Sequence, residues 1–579
     1  MWFRSKICNK QDKSDSYNGE TKTMDRREFL TAKRKTKSHQ AKITSSTFRT
    51  ESGLLEYGGP WTLNEVTHLL KRTMFGATRT DVNYFMSKTM SQAVDELLNP
   101  IAPLPGPPVN DYNAVLADAK VIAGQTWIND PTINESLNEI RRQSFKRWWA
   151  GIMINQDRSI REKLTLFWAN HFGTETNTIE ISHFVYRHND LLRRNALGNY
   201  QQLVKDVTID CGMLRYLNGY LNEKDAPDEN YGRELQELFT VGKDFLTNLA
   251  PYTEEDVRTA AKVLTGWTID ANNFTSYFDP LKHDISNKQF SSFYGNTVVT
   301  GQSGADGALE TDALISMLFD KSNVSEFICR KLYRWFVYYD IDAGDEANVI
   351  QPLAALLRQN NFDIKPVLSA LFKSEHFFDS LNQSCLIKSP VDHVIGCMRE
   401  FGVAFPDPVS SFNDAYSMWG HMTDWMSNMN QNIGDPPDVS GWPSYYQAPQ
   451  FHEMWINSDT LPKRNQFTDA MILYGYTANG NTVIIDTLSF TKTLSNPSDP
   501  NALVNDAVAI LYRMPLSDIT KQTIKQQIIL SGQTSDYYWT NAWNAYLAEP
   551  TNETISNVVN TRLKSFYQYI MNLAEYQLS

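Results

Sequence analysis

Two glutamates on one predicted helix are the residues of this 579-residue chain best suited to chemistry. Glu234 and Glu237 lie three positions apart within residues 228–242, and this spacing places both carboxylates on one face of a helix. Apolar residues recur beside them at helical spacing, so at least one carboxylate is expected near the margin of the core. A carboxylate there needs an arginine, a hydrogen-bond donor or a metal ion. The pair is therefore predicted to be catalytic, as a general base or as metal ligands.

Two histidines complete the candidate metal site. His171 lies on the apolar face of a predicted helix, and His283 precedes Asp284 in a loop-like stretch. With Glu234 and Glu237 they would supply the imidazole and carboxylate ligands of a divalent cation that activates water. Two alternatives stay open: His171 is a hydrogen-bonded core residue, and His283 and Asp284 form a turn.

Capping patterns predict where helices begin. Thr62 with Glu65 has the spacing of a capping box at the start of the folded region. Ser159 with Glu162 has the same spacing and predicts the start of the helix that carries His171.

Two further helices are predicted around the glutamates. Residues 231–241 and 254–265 are close in sequence and are expected to pack antiparallel, which would bring Asp256 or Arg258 near the carboxylates. In the alternative arrangement, Arg233 forms ion pairs along its own helix, for example with the glutamate four residues on. The charged residues would then be structural.

Helical patterning dominates the chain, and the fold class is predicted to be mainly α, a large multi-helix domain. Residues 274–300 mix aromatic residues with Asn, Ser, Asp and Gly, which predicts a small irregular insertion containing short strands. Residues 431–443 contain prolines and glycines that exclude regular structure, so Trp442 is expected on a loop that covers or lines a site.

The chain is predicted to divide at about residue 52. Residues 1–52 are polar and basic and are expected to be disordered. Residues 53–579 are predicted to form one helical domain. Its sub-lobes would be residues 53–273, 301–400 and 401–579.

The basic tail contains a motif that bears on localisation. Residues 24–30, Met-Asp-Arg-Arg-Glu-Phe-Leu, resemble the front of a twin-arginine export signal, and Met24 could be the native start. The apolar segment of about 7–15 residues that a secretory signal needs does not follow. A cytoplasmic location is therefore expected, with export by the twin-arginine route or with an exported partner as the alternative.

Composition narrows the class of partner. Residues 1–50 carry 13 Lys and Arg against 5 Asp and Glu, while the whole chain has a net charge of -12. The body is thus strongly acidic, which argues against a nucleic-acid partner, since phosphate contacts need clustered Lys and Arg. Apolar runs fall short of the roughly 18 residues of a membrane-spanning helix, so no transmembrane segment is expected.

Six motifs, taken in order, are similar to those of the bacterial family called domain of unknown function 1800. The resemblance covers roughly residues 57–579. The motifs are residues 68–76, 162–172, 228–242, 264–267, 330–333 and 436–443.

The resemblance implies a largely helical protein, but no activity, because the family has none assigned. It also implies a twin-arginine signal in many members and a gene neighbour of the domain of unknown function 1501 family, which is similar to sulfatases and alkaline phosphatases. Many members have a histidine where this chain has Phe239, which weakens the metal hypothesis. The recurrent family positions are Asn170, His171, Asn230, Arg233, Glu234, Glu237, Gly242, Gly266, Trp267, His283 and Asp284.

Three functions follow from these observations. The first is an accessory or scaffold protein that acts with a phosphatase- or sulfatase-like partner. The second is a hydrolase, metal-assisted or using a glutamate alone. The third is binding of carbohydrate or a surface polymer, suggested by 14 Trp and 27 Tyr. Beyond the glutamates and histidines, the pocket candidates are Asn170, Asn230, Arg233, Asp256, Arg258, Asp284, Trp267 and Trp442.

Overall fold

The structure, a computed structural model, describes residues 53–442 and 452–579, most of them in helices. The first helix, α1 (Leu63–Thr73), begins as predicted, with Thr62 and Glu65 forming a capping box. The mainly α fold class is confirmed.

The remaining helices are described in three groups by their position along the chain. Before the strands lie α2 (Arg79–Met86), α3 (Met90–Leu98), α4 (Glu135–Ile154), α5 (Arg161–His171), α6 (Thr176–Ile179), α7 (Ser182–Arg194), α8 (Tyr200–Thr208), α9 (Cys211–Tyr216), α10 (Glu229–Glu234) and α11 (Glu254–Val263). After the first strands come α12 (Leu309–Phe319), α13 (Ser322–Phe336), α14 (Ala343–Asp345), α15 (Gln351–Gln359), α16 (Ile364–Phe372), α17 (Pro390–Glu400) and α18 (Phe412–Asn428). The last stretch holds α19 (Thr460–Leu473), α20 (Thr487–Lys492), α21 (Pro500–Leu511), α22 (Asp518–Ile524), α23 (Tyr537–Ala548) and α24 (Glu553–Met571).

Strands form three small antiparallel pairs in the described residues. β1 (Trp267–Asp270) pairs with β2 (Thr275–Phe278), and β3 (Lys288–Gln289) pairs with β4 (Val298–Val299). These four strands confirm the β-containing insertion, although it begins at Trp267 rather than near residue 274. A later hairpin of β5 (Tyr476–Ala478) and β6 (Asn481–Val483) was not predicted.

The described residues, 53–442 and 452–579, belong to one compact unit, and the core runs through them. The predicted sub-lobes within it stay a prediction, as does disorder of residues 1–52, which lie outside the described residues together with the twin-arginine-like motif. No helix in the described part of the chain is long and apolar enough to cross a membrane.

A buried ion pair fixes the helix that carries His171. The predicted capping box of Ser159 and Glu162 is wrong, because α5 begins at Arg161 without a side-chain cap. The Glu162 carboxylate instead accepts hydrogen bonds of 2.6 and 3.0 Å from the Arg193 guanidinium on α7. Both side chains are buried, so the pair joins α5 to α7 inside the core.

Close backbone contact joins the helix of the two glutamates to its neighbour, as predicted for residues 231–241 and 254–265. At Gly232 on α10, an added Cβ would lie 3.2 Å from the backbone nitrogen of Ala261 and the carbonyl oxygen of Val257 on α11. A larger residue would push the two helices apart, so glycine here sets the separation at which α10 is held.

Candidate functional site

The two candidate glutamates lie where an α-helix becomes a π-helix. α10 passes directly into a π-helical turn over Leu235–Phe239, so Glu234 ends the α-helix and Glu237 lies within the wider turn. Asp228 caps the start of α10. π-Helical turns occur frequently at functional sites, and the described residues contain two others, over Glu346–Ile350 and Lys525–Ile529.

The environment of the two carboxylates differs. Burial raises the pKa of Glu234 from its ordinary 4.5 to about 7, and the negative charges of Glu237 and Asp438 add to the effect. Glu237, with a side chain that is 27% exposed, forms an ion pair of 2.6 Å with Lys243. At neutral pH Glu234 is therefore present in both protonated and ionised forms. The second carboxylate, Glu237, is paired with a lysine.

A buried tyrosine, Tyr252, and a half-buried tyrosine, Tyr216, border these carboxylates. Burial, followed by the charges of Glu237 and Glu234 among others, raises the pKa of Tyr252, whose hydroxyl is buried without a hydrogen-bond partner among the described residues. Burial also raises the pKa of Tyr216, with smaller contributions from acidic groups that include Glu234. An unpartnered buried hydroxyl is costly unless water or a ligand satisfies it.

A concave surface lies beside the ion pair of Glu237. The cavity has a volume of about 430 Å³ and is lined by Lys243, the ion-pair partner of Glu237, together with Phe245 and Arg330. A space of this size suits a small molecule or a short stretch of chain.

His171 contacts the last residue of the π turn, Phe239. Its Nε2 lies 3.3 Å from the Phe239 carbonyl oxygen, which can only accept, so Nε2 carries the proton and Nδ1 accepts from Lys331 Nζ at 2.9 Å. The Tyr200 hydroxyl donates to the same oxygen, and Lys331 donates to Leu238 O at 3.0 Å. These contacts satisfy carbonyls that the helix end leaves open. His171 therefore holds the turn that carries Glu237.

Neither histidine meets the glutamates. His283 is buried between the Thr265 carbonyl, 2.8 Å from Nδ1, and the Glu310 carboxylate, 3.0 Å from Nε2. In residues 53–442 and 452–579, His, Cys, Asp and Glu side chains form no group of three or more that could hold a metal ion. The site of His171, Glu234, Glu237 and His283 stays a prediction, and each histidine would have to exchange its present partners to bind a cation.

The other charged candidates lie on the outer side of α10 and α11. Arg233 bonds to Glu254 at 2.7 Å and to Glu229 at 3.1 Å, not to Glu237. Arg258 pairs with Glu255, and its Nε lies 3.6 Å from Glu229. These contacts form a surface ion-pair network.

The remaining polar candidates near the insertion have local structural roles. Asp256 closes the capping box of α11 and accepts a hydrogen bond from the Ser291 backbone. The side chain of Asp284 accepts from Ser286, Trp267 donates to Thr311 at 2.9 Å, and Asn230 is exposed near the start of α10.

Asn170 fixes the loop that was predicted to cover a site. Its buried Oδ1 accepts a hydrogen bond of 2.8 Å from the Trp442 backbone amide. The same loop places Asp438 close enough to Glu234 for its negative charge to raise the pKa of Glu234. Sequence reasoning named this loop and Trp442, but it missed Asp438, Lys243, Tyr216 and Tyr252. Only Asp438 had a signal, because it lies inside the proline-rich motif.

Residues 68–578 match the family model described as protein of unknown function (DUF1800). The chain belongs to the DUF1800 family. The matched residues include the π turn, His171 and the loop of Asp438, so the candidate site lies within the DUF1800 region. The searches found no match among curated proteins and none among solved structures.

Proposed function

We propose that this DUF1800 protein is a hydrolase in which Glu234 transfers the proton and Glu237 acts as its charged partner. The observation that carries the proposal is the position of Glu234, half-buried at the start of a π turn beside a second carboxylate, with a pKa raised to about 7. Pairs of carboxylates in different environments are the usual way to supply an acid and a base at neutral pH.

The chemistry needs no group beyond those present. In its ionised form Glu234 takes a proton from a water molecule as that water attacks the substrate. In its protonated form it gives a proton to the leaving group, so hydroxyl and proton of the water end on the two products. The Tyr252 hydroxyl is unpartnered among the described residues, and Lys243, the ion-pair partner of Glu237, lines the cavity with a positive charge.

The test is hydrolysis of chromogenic nitrophenyl esters, phosphates and glycosides by the full-length protein between pH 5 and 9. Glu234→Gln is expected to lower kcat/KM by about 10²–10⁴-fold on the substrate that is turned over, the usual contribution of a general acid or base. Glu254→Gln serves as the matched control, because it removes an exposed glutamate that pairs with Arg233.

Glu237→Gln adds a second readout. Removing its charge lowers the pKa of Glu234, so the limb of the pH profile that reports Glu234 is expected to move to lower pH. Equal rates for wild type and Glu234→Gln, or no hydrolysis of any substrate by wild type, would contradict the proposal.

A second candidate function is the accessory role with a phosphatase- or sulfatase-like partner. It is favoured by the segment after the π turn, where Leu246 is 88% and Leu249 is 68% exposed beside the cavity lined by Lys243. Exposed leucines next to a concave surface are typical of docking sites. For the carbohydrate hypothesis, the described residues offer exposed tyrosines such as Tyr474 and Tyr537 but no exposed tryptophan.

A further inference from the structure

A buried aspartate–histidine pair lies outside the site of the two glutamates. His188 on α7 is 4% exposed, and its Nδ1 lies 2.8 Å from the Asp210 carboxylate. Asp210 is held in turn, because it caps α9 and accepts a hydrogen bond of 3.0 Å from the Met213 amide. The carboxylate can only accept, so Nδ1 carries a proton, and in the neutral imidazole Nε2 is then an acceptor.

The contact between the two residues depends on a glycine. A Cβ at Gly212 would lie 2.9 Å from Asp210 Oδ2 and 3.0 Å from the Cβ of His188. Glycine at this position therefore lets the start of α9 approach α7 closely enough for the pair to form.

His188 lines a small cavity that is distinct from the one beside Lys243. Among the described residues its Nε2 has no hydrogen-bond partner. The volume is about 20 Å³, and one water occupies about 10–15 Å³ on this measure. Apolar walls surround a few polar groups, and the lining includes Trp149, Ala169, Thr174, Thr176, Asn189 and Trp442.

We propose that His188 and Asp210 form a binding site for a single hydroxyl group, supplied by water or by a small alcohol. The hydroxyl donates to Nε2 of His188, and Asp210 fixes the tautomer that makes this nitrogen an acceptor. The same arrangement of aspartate, histidine and hydroxyl raises the basicity of the imidazole in hydrolytic enzymes. The site does not depend on the function proposed for Glu234.

The test uses full-length protein with ¹⁵N-labelled histidine, and His188→Gln assigns the signal of His188 by its loss. Nδ1 is expected to be protonated, and Nε2 is expected to show the resonance of a nitrogen that accepts a hydrogen bond. Ala169→Val narrows the cavity and leaves both residues of the pair unchanged in the sequence. The Nε2 signal should therefore move to the resonance of a free acceptor. Ala370→Val, a half-buried alanine on α16, is the control and should change nothing.

Titration with methanol separates the two sources of the hydroxyl. A saturable shift of Nε2 assigns the site to small alcohols, and no shift assigns it to water. A protonated Nε2, or an Nε2 signal that is the same in wild type and Ala169→Val, would overturn the proposal.

Discussion

Replacing Arg193 by methionine is expected to lower the free energy of unfolding by about 3–5 kcal/mol, because a buried carboxylate loses its partner. The Arg193 side chain is fully buried and the Glu162 side chain is 4% exposed. Arg193 also donates to Asn189 at 2.7 Å and lies 5.0 Å from the centre of the Trp148 ring. Methionine keeps much of the volume but none of these hydrogen bonds.

Arg194→Met is the matched control. Arg194 is the next residue of α7, its side chain is 63% exposed, and it pairs with Asp190 one turn away. Loss of this exposed ion pair is expected to lower the free energy of unfolding by at most about 0.5 kcal/mol. Chemical denaturation followed by circular dichroism measures both variants. Equal shifts of the denaturation midpoint would mean that the pair of Arg193 and Glu162 does not hold α5 against α7.

Replacing Gly441 by alanine is expected to detach the loop of Asp438 from α5 and to cost about 2–4 kcal/mol. Gly441 has a φ of +87°, and an added Cβ would lie 2.3 Å from the Asn170 side-chain oxygen and 2.4 Å from its carbonyl oxygen. The backbone oxygen cannot move without distorting the end of α5. The hydrogen bond from the Trp442 amide to Asn170 is therefore expected to break.

Gly402→Ala separates backbone strain from the clash. Gly402 has a φ of +62°, and an added Cβ meets nothing within 4 Å. This variant should lower the free energy of unfolding by about 1–2 kcal/mol, the cost of placing alanine in the left-handed conformation. Hydrogen exchange of the Trp442 amide is the readout. Exchange that speeds up in Gly441→Ala but not in Gly402→Ala is expected, and unchanged exchange in both would contradict the contact.

Local pattern predicted the fold class because helices are specified by residues close in sequence. The capping box of Thr62 and Glu65 is one example. Ser159 and Glu162 have the same spacing, yet Glu162 turns inward to Arg193, 31 residues later. Nothing in the local sequence distinguishes the two cases, because the second is decided by a partner on another helix.

In the candidate site, too, local spacing predicted some features, and contacts between distant helices decided the others. Glu234 and Glu237 share a helix, so their proximity could be predicted from spacing. The π turn could not, because its carbonyls are satisfied by His171, Tyr200 and Lys331 from three other helices. The pair of His188 and Asp210 was missed for the same reason, although an aspartate before a helix is a recognisable cap.

The central claim, that Glu234 carries a proton near neutral pH, is tested most directly by the stability of wild type and Glu234→Gln as a function of pH. The folded pKa of about 7 lies above the ordinary 4.5, so the folded state binds the proton more tightly. The stabilising effect is complete below pH 4.5 and is lost as pH rises through 7. Glu234 is partly exposed, so solvent screening reduces the change to about 1–2 kcal/mol.

Wild type is therefore expected to lose about 1–2 kcal/mol of unfolding free energy relative to Glu234→Gln between about pH 4.5 and pH 8.5, and to run parallel to it above that range. Thermal unfolding of both proteins in matched buffers measures the difference. Parallel curves from about pH 4.5 to pH 8.5 would show that Glu234 ionises as an ordinary surface glutamate, and they would contradict its role as the proton-transfer group.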